Sequence, residues 1–204
     1  MDDPVGVGQL RRVRRVERQY CDPLTMVWTA TARSLGLRIA RSTEVFASYD
    51  GQGVLTLGGA ATLDADDCCA QMILHELCHA LVGGKGAFGR IDWGLDNLSD
   101  AHIDHERACL RVQATLLARH GLRRALAPTT DHRTFYDTLP ADPLEGAGEA
   151  ERTLVLAALA RSEAPPFAPH LDGALKATKA IVRATEPFAS ANDLLRVDGT
   201  ADLP

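Results

Sequence analysis

Cys68-Cys69-Ala70-Gln71-Met72-Ile73-Leu74-His75-Glu76-Leu77-Cys78-His79-Ala80-Leu81-Val82, closed by Gly83-Gly84, reads as one helix that is apolar on almost every side. Such a helix belongs in a core, where an unpartnered polar group costs roughly 2–7 kcal/mol depending on the reference state. Two histidines and a glutamate there need partners. Residues four apart lie one above the other on a helix, so His75 and His79 can turn both imidazoles toward one divalent ion. Glu76 then stands beside them, facing a bound water.

Upstream, Asp64 with Asp67 three residues later has the form of a helix cap with an acidic first turn, so the motif helix is expected to begin near Ala65. Leu37-Arg38-Ile39-Ala40, Glu44-Val45-Phe46-Ala47-Ser48 and Gly53-Val54-Leu55-Thr56-Leu57 are short, partly alternating runs that read as strands. Asp50-Gly51 between the last two is a hairpin signal. The motif helix is expected to lie buried across this small, mainly antiparallel or mixed sheet. A further helix is expected over Pro23 to Leu35, with Pro23 in its first turn, Met26, Ala30 and Leu35 on its apolar side, and Gly36 as its stop. Leu10, Val13, Val16 and Tyr20 recur at helical spacing opposite Arg11, Arg12, Arg14, Arg15 and Arg18, which describes a short amphipathic helix with a solvated basic face.

Downstream, the segment from Gly83 to Asp96 is glycine-rich. Gly84-Lys85-Gly86-Ala87-Phe88-Gly89 has G-x-G-x-x-G spacing but follows a helix rather than a strand, the wrong setting for a dinucleotide. Asp100 to His120 reads as a long helix stopped by Gly121, with His102, Asp104, His105 and Glu106 in its first two turns. A catalytic zinc commonly takes three protein ligands and keeps one position for water. Glu106 is the preferred third ligand, with His102, His105 and Asp100 as alternatives. Asp92, Asp96, Asp100 and Asp104 are candidates to receive the outer ring N–H of the ligating histidines. Past Pro140 the composition shifts, and helices are expected over Glu149 to Arg161 and His170 to Thr185. The expected division is a metal-binding domain over residues 1–140 and a helical C-terminal extension over 141–204, packed on the same domain.

With 204 residues, 46% hydrophobic and 24% charged, the chain suits a globular domain with a sizeable core. A formal charge of −5 gives no electrostatic case for nucleic acid or an anionic membrane surface. No stretch approaches the roughly 20 apolar residues of a membrane span, and Met1-Asp2-Asp3-Pro4 lacks the order of a signal peptide, so a cytoplasmic protein is expected. The five cysteines follow no C-x-x-C pattern and are expected to be reduced, buried or semi-buried thiols, with a ligand or redox role for Cys78 or Cys109 as the alternative. Neither a G-x-S-x-G elbow nor a Walker-type Gly-Lys-Ser/Thr is present.

The order of helix, short strands, buried His75-Glu76-Leu77-Cys78-His79 helix, loop and third-ligand helix resembles the zincin metallopeptidases, and among them the gluzincins, over about residues 23 to 120. The metzincin extension after His79 is missing. The resemblance implies an α+β, zincin-like fold, Zn2+ held by His75, His79 and Glu106, and hydrolysis of a protein or peptide substrate with Glu76 as general base. A second resemblance is to the elongation factor P hydroxylases, carried by His75 to His79, Asp92-Trp93-Gly94-Leu95, Glu106 and Gln113-Ala114 in that order. It implies Fe2+ in a two-histidine, one-carboxylate triad and modification of a protein substrate. A degenerate zincin serving as a binding module is the third reading.

Overall fold

The computed structural model describes residues 17–59, 61–95, 102–128 and 132–196. Of the amphipathic helix expected from Leu10 to Tyr20, residues 10–16 lie outside the described residues, as do the candidates Asp96 and Asp100; residues 17–20 are a bend and irregular chain, exposed and not helical. The architecture is α+β, with six α-helices and one three-stranded mixed sheet among the described residues.

Helix α1 (Pro23–Ser34) begins as its sequence dictates: Pro23 opens the first turn and the Asp22 carboxylate accepts the Thr25 N–H at 2.9 Å. Its buried face is Leu24, Trp28, Thr31 and Ala32, whereas Met26 points into solvent. Met26 stands two residues from both Leu24 and Trp28, about 200° around the helix from each, so it cannot share their face. The chain then forms β1 (Arg38–Ser42), β2 (Ala47–Tyr49) and β3 (Val54–Gly58). Strand β3 is central, parallel to β1 and antiparallel to β2. Asp50 builds the β2–β3 turn, its Oδ1 accepting the Gln52 N–H at 2.7 Å and the Val54 N–H at 2.9 Å.

The motif helix α2 (Cys69–Gly83) starts later than the acidic pair predicts. Asp67 Oδ2 accepts the Asp64 N–H at 2.9 Å and closes a separate turn, while Cys68 caps the helix, its Sγ accepting the Gln71 N–H at 3.4 Å. Two aspartates three apart can close an isolated turn, the second side chain reaching back to the N–H of the first, as readily as they start a helix. The helix also packs chiefly against other helices, α1, α3 and α5, rather than lying across the sheet. Three short strands offer too little surface to cover it, and a helical surround accounts for its apolar character on every side. Its C-terminal carbonyls are satisfied from α5, where the Arg161 guanidinium donates to the carbonyls of Leu81 and Val82. Gly84 follows at φ 70°, backbone that favours glycine, and a Cβ there would stand 3.2 Å from that guanidinium, which would have to shift slightly.

Helix α3 (Ile103–Ala118) carries Glu106, and a short α4 (Arg133–Thr138) follows that no periodicity announces. Helices α5 (Glu149–Ser162) and α6 (His170–Thr185) fall where the pattern places them. Helix α5 lies on α2 and α3, and α6 lies on α1, where the buried Trp28 Nε1 donates to Thr178 Oγ1 at 3.0 Å. Val155 and Leu171 share one hydrophobic cluster with Leu77 and Leu81 of the motif helix. Arg111 of α3 and Glu151 of α5 form a buried ion pair at 2.8 Å, and the same guanidinium donates to the carbonyls of Pro143 and Glu145. Among the described residues no helix is long and apolar enough to cross a membrane.

Candidate metal centre

One turn of α2 separates His75 from His79, and their Nε2 atoms converge to 3.1 Å. Glu106, in the first turn of α3, closes the group: its Oε1 lies 3.4 Å from His75 Nε2 and its Oε2 3.5 Å from His79 Nε2. Ligand atoms of these three residues all lie within 4.8 Å of one another, and the group could hold a metal ion. Ligands bonded tetrahedrally at typical zinc distances stand about 3.4 Å apart, so the observed spacing suits a single small cation. Glu106 Oε1 is buried without a hydrogen-bond partner. An acceptor left in that state costs about 1–3 kcal/mol, and a cation removes the deficit.

The outer ring nitrogens are held from α3. Gln113 is fully buried, and its Nε2 donates to the Leu126 carbonyl at 2.8 Å, which turns its Oε1 toward His75 Nδ1 at 3.0 Å. An amide oxygen only accepts, so His75 Nδ1 carries a proton, and Nε2 is the nitrogen left to face a metal. His79 Nδ1 meets Cys109 Sγ at 3.1 Å, and with Nε2 as ligand its Nδ1–H points at that sulfur. Glu106, Cys109 and Gln113 follow at i, i+3 and i+7, a single stripe of α3. Gln113 and Cys109 therefore fill the outer positions that sequence reasoning offered to the aspartates. Asp92 is engaged elsewhere, its Oδ1 accepting the Tyr49 N–H at 2.8 Å. His102 and His105 face each other with ring centroids 6.0 Å apart and border a neighbouring cavity, outside the ligand group.

The charges of the three residues act on one another. Burial alone would depress the His75 pKa, but the Glu106 carboxylate, with Glu76 and Gln113, outweighs it and raises the value to about 9. His79 moves the other way, to about 3, through burial and then the positive charge on His75. Burial would raise the Glu106 pKa, yet the two histidines hold it well below the usual carboxylate range.

Glu76 stands beside the group, 8% exposed, with Oε2 accepting the Trp93 indole N–H at 2.7 Å. Burial raises its pKa. Trp93 stacks on Tyr49 with ring centroids 3.9 Å apart, and it reaches Glu76 because Asp92 and Trp93 both take positive φ, 45° and 60°. Backbone of that kind in two non-glycine residues is strained, and the Asp92–Tyr49 bond and the ring stack hold it in place. The Asp92-Trp93-Gly94 segment is thus a wall of the site. A cavity of about 220 Å³ opens over His75, Glu76, His79 and Glu106, bordered by Phe46 to Ser48 at the free edge of β2 and by His132. His132 Nε2 lies 3.7 Å from Glu106 Oε1. Sequence reasoning missed it, since it precedes a helix too short to show a period. No protein-family model, curated protein or solved structure matches the chain.

Proposed function

We propose that this chain is a metal-dependent hydrolase of peptide or amide bonds, with a zincin-like site and fold, in which His75, His79 and Glu106 hold Zn2+ and Glu76 is the general base. The observation that carries the reading is Glu76: a carboxyl group beyond those that ligate, lining the same cavity and held by Trp93 at 2.7 Å. A divalent ion bound here supplies Lewis-acid polarisation of a carbonyl and acidifies a water. Glu76 would take a proton from an attacking water and hand it to the departing amine as the amide bond breaks. A carboxyl group with a raised pKa suits both steps. Trp93 occupies Oε2 and leaves Oε1 for the proton. The placement of β2 beside the cavity, α2 beneath it and Glu106 on α3 supports this reading.

A second reading, a non-haem iron hydroxylase acting on a protein substrate, is favoured by a different observation. Trp93, Glu106 and Gln113, which carry the resemblance to elongation factor P hydroxylases, all touch Glu76 or the histidines. One experiment separates the two. Metal content is measured on protein purified without added metal, and Glu76→Gln is then assayed on a peptide library. The hydrolase reading expects zinc retained and cleavage reduced by at least about 100-fold. Iron in the purified protein, with oxygen-dependent modification of a protein substrate that survives Glu76→Gln, refutes it in favour of the hydroxylase.

A further inference from the structure

Gln71 lies one turn before His75 on α2, so both side chains leave the helix on one face. It is 4% exposed, borders the same cavity as His75, Glu76 and Glu106, and its Oε1 is buried without a hydrogen-bond partner. Buried polar atoms are nearly always paired, and each exception calls for a cause. Gln113, the other buried glutamine, uses both ends of its amide. Of the three unpaired buried side-chain atoms among the described residues, Asp67 Oδ1 belongs to the turn before α2, and Glu106 Oε1 and Gln71 Oε1 belong to residues lining this cavity. A cation accounts for the Glu106 atom. An amide oxygen accepts only, so its complement is a hydrogen-bond donor, and a peptide N–H is a donor that brings no charge into the site.

We propose that Gln71 is a substrate-positioning residue whose Oε1 accepts a backbone N–H from an extended, peptide-like ligand lying over the metal group. The proposal rests on the hydrolase reading for its substrate class. Rotation about the last torsion of a glutamine is soft, so the oxygen can turn into the cavity without repacking the helix. One helical turn advances about 5.4 Å and an extended chain about 3.3 Å per residue, which places the recognised N–H one or two residues from the group at the ligands. Phe46, 39% exposed on the cavity rim beside Ser48, gives the neighbouring side chain of such a ligand an apolar surface to rest on.

The test uses metal-loaded full-length protein and hydroxamates as metal-directed probes, with affinities measured by calorimetry. Acetohydroxamic acid reports the metal alone; an acylated dipeptide hydroxamate adds two amide N–H groups, each removed in turn by N-methylation. In the wild-type protein, methylation at one of the two nitrogens is expected to weaken binding about tenfold, the effect of one hydrogen bond. In Gln71→Met the same methylation costs nothing, acetohydroxamate binds as in wild type, and Gln71→Glu, which keeps an acceptor, retains the preference. Equal losses on methylation in wild type and Gln71→Met, or no loss in wild type at either nitrogen, overturn the proposal; the second outcome needs no variant. Methylation coupling to Gln71 in a protein that cleaves no peptide would leave this proposal standing and remove the hydrolase reading.

Discussion

Replacing Gln113 by methionine nearly preserves the volume of a fully buried side chain and deletes both of its hydrogen bonds, at 3.0 Å to His75 Nδ1 and 2.8 Å to the Leu126 carbonyl. Two effects follow, and they are separable. A donor on His75 and an acceptor on Leu126 are each orphaned in the interior at about 1–3 kcal/mol, so the chelator-treated protein is expected to lose about 2–6 kcal/mol of stability. That is a large share of the roughly 5–15 kcal/mol a domain possesses. The His75 ring also loses the partner that keeps its proton on Nδ1. Removal of such an outer partner commonly lowers metal affinity 10–100-fold, or about 1.4–2.7 kcal/mol. Gln113→Glu is the control, because it keeps an acceptor for His75 and loses the donor to Leu126. It should lose stability and hold its metal. Urea unfolding with chelator present measures the first quantity, and competition against a chromophoric chelator measures the second. Metal affinity within twofold of wild type in Gln113→Met, together with lowered stability, would reduce Gln113 to a core residue and refute the tautomer argument.

Glu106→Ala leaves two imidazoles as ligands, and metal affinity is expected to fall by at least about 100-fold in the same competition assay; full occupancy would transfer the role to His102 or His105. Arg111→Met strands Glu151 in the interior and is expected to cost about 3–5 kcal/mol, whereas adding Glu151→Leu should recover most of it. For a chain of this size that corresponds to a fall in Tm of about 6–20 °C, and a change under about 2 °C would mean that the pair is not buried in solution. Trp93→Phe keeps an aromatic ring on Tyr49 and deletes the N–H that holds Glu76. Metal content should be unchanged and kcat should drop about 10–100-fold at similar KM; a rise in KM alone would place Trp93 in substrate binding instead.

Much of the helical framework was readable because its signals are local. Pro23 and Gly36 bracket α1, and Asp50-Gly51 marks the β2–β3 turn. Errors came where one local pattern serves two geometries. Asp64 and Asp67 can cap a helix or close a turn, and Cys68, an unusual cap, gave no signal of its own. An apolar run does not say whether its cover is a sheet or other helices, so the helical surround of α2 was invisible until α1, α3 and α5 were in place.

By its order of residues alone, the chain determined that two imidazoles share a helix face with a glutamate beside them, because the 3.6-residue period is a property of the backbone itself. The choice of partners was left to tertiary structure. His105 leaves α3 about 100° around from Glu106 and His102 stands at the helix N-cap on non-helical backbone, and only the packing of α3 on α2 brings Glu106, rather than either histidine, to the two Nε2 atoms. The same packing sets Cys109 and Gln113 behind the rings and a strained turn swings Trp93 onto Glu76, contacts that span 30, 38 and 17 residues of chain. Contacts over such separations are set by how helices dock, which no local pattern records.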